Sequence, residues 1–486
     1  MRARVYAMIP IDTTLHGACA VGACPGAWGA LEESARPLLK KHLTINPLFS
    51  VATICLLPVA LHAQTTDAPI QMSVPSAPST PSLPSTPSQP AGLPYTSSNI
   101  WYPGGAAGFQ PAGTQSSMLQ VGNPALQLRA MAGVERESNA LRTSVGGISD
   151  TDYYAGVGLR ADRRFGLQRL RADLEANTYR YDKQTSMDYS VFNYALAWDW
   201  AVGRRLHGVA SADQKQYREV ATDPVALVNR LGKRSERAQV LEGVYDLGAA
   251  LRLMAGASHT ESTTTVPNSW DASPSINSAR VGAGYELASG SSIWLRYRHG
   301  TGHYTDPTPG ASTGDFKEDE TDAVVKWPVT AKTAIEAQLG HLRRKHDTGS
   351  ARDFSGMIGA AGVTWDVTAK TRVIAGVNRT LTVSGLAAGG DVRSDQFYIG
   401  PIWKATAKIA VNARYDRITR DWKDVPVGSP NVGRNDTVDQ LSAGVDWEPR
   451  RWLTVSGYVR GERQTSSILN TGYRNTTVGA AVKAYF

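Results

Sequence analysis

The sequence lacks cysteine after Cys55, and after residue 63 it lacks any apolar run long enough for a membrane-spanning helix. Its three cysteines, Cys19, Cys24 and Cys55, all precede the processing site inferred below. A long cysteine-free segment is typical of an exported envelope protein that avoids unwanted disulfides, although chance rarity gives the same pattern. The missing apolar run argues against a helical membrane bundle in residues 64–486.

Motifs of catalysis and metal binding are also missing. There is no G-x-S-x-G elbow, no phosphate-binding glycine loop, no H-E-x-x-H and no pair of cysteine ligands. The histidines that follow residue 200 show no motif spacing and are expected to be solvated; they are His207, His259, His299, His303, His341 and His346. We therefore predict no catalytic residue, no metal, no cofactor and no enzymatic activity, and an outer-membrane hydrolase is the least favoured alternative.

The charge balance is mild. The chain has 51 Lys or Arg against 43 Asp or Glu, and residues 64–486 have 46 against 40. The basic residues are spread along the chain, and no nucleic-acid-binding motif accompanies them. The sequence therefore predicts no nucleic-acid partner.

The first 124 residues are typical of export and tethering. Lys40 and Lys41 precede an apolar run that ends before Gln64, which predicts a secretory signal cleaved after Ala63. A membrane anchor is the alternative, but prolines interrupt the run. Prolines recur among Ser and Thr from residue 69 to 94, so this segment cannot bury a core. We predict an upstream extension plus cleavable signal in 1–63 and a disordered periplasmic linker in 64–124.

From residue 125 onward the dominant pattern has period two, the spacing at which successive side chains point to opposite faces of a strand. Leu453, Val455 and Val459 fall on one face, whereas Tyr458 and Arg460 fall on the other. An apolar face suits lipid, and a charged face is costly in a sandwich core. The segment 125–486 is therefore predicted to be an all-β transmembrane antiparallel barrel in the cell outer membrane.

A repeat of 38 residues supports this interpretation. Trp327, Trp365 and Trp403 each begin a Trp-x-x-Thr-Ala-Lys segment that predicts a tight turn. Thirty-eight residues suit a hairpin of two membrane-crossing strands of roughly ten residues, with one long and one short connection. Tryptophan before the short turn is expected in the aromatic girdle at the membrane interface. The predicted interface aromatics are Trp200, Trp327, Trp365, Trp403, Trp447 and Phe486.

Short and long connections alternate along the chain. Longer polar stretches, such as 220–236 and 301–317, separate the short turns. Counting strands between them gives about eighteen, an even number that places the N and C termini in the periplasm. The final aromatic residue, preceded by apolar residues at alternate positions, is the signal read by the barrel-assembly machinery, so that machinery and outer-membrane lipid are predicted partners.

The first third of this barrel resembles the EpsL family, outer-membrane proteins of exopolysaccharide biosynthesis operons that are related to β-barrel porins. The segments that carry the resemblance are Ser149-Asp150, Phe165-Gly-Leu-Gln-Arg-Leu170, Tyr179-Arg-Tyr181, Phe192-Asn-Tyr194 and Trp198-Asp-Trp200. The resemblance implies a place in exopolysaccharide export, with the polysaccharide and periplasmic export proteins as partners. A general diffusion porin, or a structural or adhesive barrel with binding loops, remains the alternative.

Alternation also predicts which side chains line the lumen. Arginines, carboxylates and a tyrosine on one face could hold a hydrated path for a sugar chain or ions, with arginine favouring acidic sugars. They could equally pair across strands and solvate the wall. The predicted lumen residues are Arg171, Asp173, Glu175, Arg296, Arg298, Arg414, Asp416, Tyr458, Arg460 and Glu462.

Overall fold

The computed structural model describes residues 125–222, 229–265, 274–304, 315–347, 353–383, 391–425, 427 and 431–486. The predicted extension, signal and linker of residues 1–124 lie outside the described residues. No helix in the described ranges is long and apolar enough to cross a membrane.

Eighteen strands make up the described segments. In chain order they are β1 Leu126–Glu137, β2 Asp150–Phe165, β3 Gln168–Tyr181, β4 Tyr189–Val202, β5 Leu206–Thr222, β6 Asn229–Asp246, β7 Leu251–Thr264, β8 Pro274–Glu286, β9 Ser292–Tyr304, β10 Phe316–Thr330, β11 Thr333–His346, β12 Phe354–Asp366, β13 Thr371–Val383, β14 Asp391–Lys404, β15 Ile409–Lys423, β16 Asn435–Arg450, β17 Leu453–Ser466 and β18 Tyr473–Tyr485.

The strands form one closed antiparallel sheet. Each strand pairs with its neighbours in the chain, and β1 pairs with both β2 and β18, for example Arg129 with Tyr485. Closure removes every unpaired sheet edge, which is the condition for a sheet in hydrocarbon. The predicted all-β transmembrane barrel and its eighteen strands are confirmed.

The two ends of the barrel differ. Eight connections of two to five residues lie at one end, which we call the turn end, together with Leu126 and Phe486. Nine connections of six to twelve residues separate the described strands at the other, the loop end. Short turns are periplasmic in barrels of known orientation. The periplasmic location of both termini follows from that rule and stays a prediction.

The strands are longer than the ten residues expected from the repeat. They contain 12 to 18 residues, and the longest are β5 and β6. Most of the polar stretch predicted as a loop at 220–236 belongs to these two strands, since Thr222 pairs with Asn229. Pairing continues beyond the apolar belt because backbone groups gain partners there regardless of side-chain polarity.

The outer face is apolar around its middle. Leu295, Leu339, Leu441 and Val478 are exposed there, and they alternate with buried residues of the inner face. In water, a patch of this size would be unfavourable, but in a bilayer it faces hydrocarbon. Strand β17 has the orientation that the alternation predicts, with Val459 exposed and Arg460 buried.

Candidate channel lumen

The inner wall is the candidate functional surface, because its alternating positions carry nearly all of the strands' buried charge. All ten predicted lumen residues occupy these inward positions. Their role in lining a path for solute stays a prediction. What the structure adds is the partner of each charge.

On β3, Arg171 donates to Asp199 of β4 at 2.8 Å. Asp173 and Glu175 both accept from Arg129 of β1, at 2.5 Å and 3.0 Å for the shortest contacts. Arg129 was not among the predicted lumen residues. Its position in an alternating strand is the signal that would have revealed it, because β1 shows the same apolar–polar period as the other strands.

On β9, Arg296 donates two hydrogen bonds to Asp322, at 2.8 Å and 2.7 Å. Arg298 contacts Glu320 and lies 3.1 Å from Glu318. All of these groups are buried. Two-point guanidinium–carboxylate contact of this kind fixes both side chains against the wall, as bidentate geometry generally does.

On β15, Arg414 donates to both oxygens of Asp416 at 2.7 Å and lies 4.5 Å above the ring of Tyr398. Arg460 on β17 is 4.0 Å from Glu137 of β1. Each of the five predicted lumen arginines therefore has a carboxylate partner. The inner wall presents paired charges and no continuous strip of unpaired arginine among these positions.

Several inward aromatic rings lie flat over glycine on the neighbouring strand. Tyr458 covers Gly479 and Tyr154 covers Gly133, and in both pairs the two residues are directly opposite in register. A Cβ at either glycine would overlap the ring. Glycine at these positions gives the ring space beside the wall, a known way of stabilising glycine in a sheet.

A polar network around the β1–β2 connection lies on one side of the loop end and narrows it. Arg142, which has a positive φ of 55°, donates to both oxygens of Glu137 at 2.9 Å and 3.0 Å and lies 3.7 Å from Glu462. Burial lowers the pKa of Arg142, but the carboxylates of Glu137 and Glu462 outweigh it and raise that pKa well above its ordinary value. A positive φ in a non-glycine residue costs free energy and persists only under such constraint.

The β5–β6 hairpin, meaning β5 after Gln214 and β6 before Arg234, crosses the mouth to reach this network. Pairing between β4 and β5 ends at Tyr194 with Gln214. Beyond it, Arg218 contacts Tyr181 and donates to the carbonyl of Ala140 at 2.5 Å.

The first residue of β6 makes further contacts. Asn229 donates to the carbonyls of Arg142 and Thr471, at 2.9 Å and 3.1 Å. Six strand spacings separate β6 from β18 along the wall, roughly 30 Å. Contact of Asn229 with the β1–β2 and β17–β18 connections therefore places the hairpin and these connections together over the opening.

A packed cluster narrows the opposite side of the loop end. A buried cluster on β8 to β13 contains Tyr304 and Phe316, and the Tyr304 hydroxyl lies 2.6 Å from Nε2 of His346. Arg344 lies 4.1 Å above the ring of Phe316. The other members of the buried cluster are Ile276, Leu342, Phe354, Ile358 and Leu381. Sequence reasoning missed both of these features, because each depends on how connections fold back.

The predicted interface aromatics lie on the outer face near the turn end. Trp327, Trp365, Trp403, Trp447 and Phe486 are each about half exposed or more. Trp200 is less exposed and lies against Gly208 and Gly243 of the next two strands. Trp198 and Trp452, which were not predicted, are as exposed as the others.

A closed barrel of this size, apolar outside and polar inside, defines a porin-like protein of the outer membrane. Comparison with known families agrees: the model described as "Putative beta-barrel porin 2" matches residues 119–486. The chain belongs to that family. No curated protein matches it.

The chain also matches solved barrels at low identity. Pseudomonas aeruginosa OpdK with vanillate is 12% identical, with a TM-score of 0.42 over 74% of this chain and 99% of that one. OccK2 (OpdF) of the same organism, in complex with glucuronate, is 12% identical, with a TM-score of 0.41 over 74% and 98%. Acinetobacter baumannii OccAB3 is 11% identical, with a TM-score of 0.40 over 74% and 99%. At these values the likeness says nothing about the solute.

Proposed function

We propose that this protein is an outer-membrane diffusion channel for small hydrophilic solutes, with a narrow, charge-paired lumen. The observation that carries the proposal is the polar inner wall of a closed 18-stranded barrel, since barrels of 16 to 18 strands generally leave an aqueous channel. The ion pairs near the turn end support it, because Arg171 with Asp199 and Arg372 with Asp366 stay partly exposed to water.

The pairing of the charges bears on selectivity. Each ion pair places a positive and a negative charge side by side on the lumen wall. Examples are Arg171 with Asp199, Arg296 with Asp322 and Arg414 with Asp416. Paired charges give little net potential at a distance beyond a few ångströms in salt solution. We expect a channel with weak ion selectivity that admits neutral and zwitterionic solutes.

Reconstitution of the purified barrel tests this function. In planar bilayers we expect discrete conductance steps, and in a liposome swelling assay we expect faster entry of monosaccharides than of trisaccharides. Heat-denatured protein is the control for channel formation. A correctly folded barrel that gives neither conductance nor swelling would contradict the proposal.

Exopolysaccharide export is the second candidate, favoured by the EpsL resemblance and by a row of tyrosine rings on the inner faces of β2 to β4. Tyr179 stacks on Tyr189 at 4.5 Å, and Tyr154 lies 5.5 Å from Tyr179. Aromatic faces could support sugar rings along an export path. The motif residue Asp150 instead has a structural task, since it accepts hydrogen bonds from the backbone of Lys183 and Gln184.

A deletion strain separates the two candidates. If the barrel exports polysaccharide, loss of the gene should stop release of extracellular polymer while leaving nutrient uptake unchanged. Glycosyltransferases and a chain-length regulator beside the gene would support this role. If the barrel is a diffusion channel, the deletion should slow uptake of small solutes and leave polymer release unchanged.

A further inference from the structure

The turn end of the barrel carries exposed positive charge at six of its eight turns, which we call the basic ring. Carboxylates near these turns are largely engaged: Asp162 accepts from Arg169, and Asp366 accepts from Arg372. Glu448 offsets one charge of the ring. The exposed cations of the ring are Arg163, Arg164, Arg204, Arg205, Lys332, Lys370, Lys408, Arg450 and Arg451.

Three of these cations lie in three separate turns that have the same local structure. The backbone N–H groups of Lys332, Lys370 and Lys408 each donate to the hydroxyl of the threonine two residues earlier, at 3.1 Å in all three turns. The identical hydrogen bond gives each lysine the same orientation at the barrel rim. This repetition is built by the 38-residue sequence repeat.

The same three turns are also joined to their neighbours in the same way. The carbonyl of Lys332 accepts from the N–H of Asp366, and the carbonyl of Lys370 accepts from the N–H of Lys404. The carbonyl of Lys408 likewise accepts from the N–H of Glu448. Successive lysines are thus two strands apart, about 10 Å along the rim.

An exposed tryptophan accompanies each lysine. Trp327, Trp365 and Trp403 are 51%, 48% and 51% exposed and lie on the outer face next to the turns. Tryptophan in a membrane barrel lies at the level of the lipid headgroups. The lysines of the adjoining turns are therefore at or just beyond headgroup depth.

We propose that this basic ring binds the phosphodiester headgroups of anionic phospholipids in the leaflet that faces the turns. The spacing of the lysines allows each to meet a separate lipid, and a row of cations at a membrane surface attracts anionic lipid strongly. The loop end offers no such excess on β13 to β16, where Arg379, Arg393 and Arg417 pair with aspartates.

Binding of labelled lipid to the purified full-length chain tests this surface. In mixed detergent micelles, energy transfer from the girdle tryptophans to dansyl-phosphatidylglycerol reports lipid at the rim, with dansyl-phosphatidylcholine as the neutral probe. The test variant is K332Q/K370Q/K408Q. The matched control, K183Q/K317Q/K345Q, removes three exposed lysines from the loop end.

Wild type should bind phosphatidylglycerol about tenfold more tightly than phosphatidylcholine at low salt, and 0.5 M salt should remove most of the difference. The turn-end variant should lose about tenfold for phosphatidylglycerol, and the loop-end control less than twofold. Equal affinity of wild type for both lipids, or equal losses in both variants, would overturn the proposal. Tighter binding of an acidic peptide than of lipid would also overturn it, in favour of a protein partner. Because the readout is lipid binding, its failure leaves the channel proposal standing.

Discussion

The two halves of the inner wall use the same chemistry under different conditions. Near the turn end, the side chains of Arg171 and Asp199 are 30% and 29% exposed, although they form an ion pair at 2.8 Å. Near the loop end, Arg234 and Glu219 are completely buried and also form an ion pair at 2.8 Å. Pairing distance alone therefore does not distinguish them, but access to water does.

The difference in water access implies a difference in function along the barrel. Exposed pairs contribute little stability, because water and salt screen them, so they mainly keep the turn-end lumen hydrated. Buried pairs are costly to break because the remaining charge has no partner. The loop-end pairs therefore hold the hairpin and connections that narrow the mouth, and the turn-end pairs line the entrance.

The comparison predicts its largest effect for removal of a buried partner. Arg234→Ala leaves Glu219 buried without its guanidinium, although Thr264 still donates to Glu219 at 2.6 Å. We expect a loss of about 3–5 kcal/mol in unfolding free energy. The measurement is urea unfolding of the barrel in phospholipid vesicles, followed by the electrophoretic shift between folded and unfolded forms.

Arg372→Ala at the turn end is the matched control. Arg372 and Asp366 form a two-point pair but are 36% and 38% exposed, so we expect a loss below about 1 kcal/mol. The double variant R234A/E219A should recover part of the stability lost in R234A, since no charge is then left unpaired. Equal losses at the two ends would break the distinction between them.

Most of the wall could be predicted from the sequence because each strand repeats a local rule. Lipid on one side and water on the other impose alternation on every strand, so Val459 and Arg460 identify their faces without knowledge of any contact. Eighteen repetitions of that rule make the strand count robust. Strand ends were less predictable, because pairing beyond the lipid belt follows backbone hydrogen bonding instead of side-chain polarity.

The narrowed mouth could not be predicted in the same way. Asn229 contacts Arg142 and Thr471, which are 87 and 242 residues away in the chain. No periodic signal relates them, since the contact depends on where a hairpin bends and how two connections fold. Arg142 lies in a connection and Arg218 just before the polar stretch predicted as a loop at 220–236, and neither belongs to a chemical motif.

A second prediction concerns the level where the two halves meet. Gly479 faces inward under Tyr458, and a Cβ there would overlap the ring. We expect Gly479→Ala to cost about 1–3 kcal/mol, as overpacking does. Gly457→Ala, on the outer face of the adjacent strand with open space around its Cα, should be neutral or slightly stabilising. The same unfolding assay measures both, and equal costs would show that the ring readily moves aside.

The smallest predicted effect is on conductance, and it tests whether the loop-end half restricts the channel. The variant R218A/N229A removes the contacts that tie the β5–β6 hairpin to Ala140, Arg142 and Thr471. With the hairpin released, the narrowest part of the lumen should widen, and single-channel conductance should rise about twofold, because conductance scales with the open cross-section.

R237A, in the same strand, is the control, because Arg237 and Glu261 form an exposed pair whose loss should leave conductance unchanged. The electrophoretic shift of the folded barrel verifies that all variants are intact. If R218A/N229A folds and conducts like wild type, the mouth is not the narrowest point. The restriction would then lie deeper, between the inward arginines of β9 and the ring of Tyr458, and the loop-end network would serve stability alone.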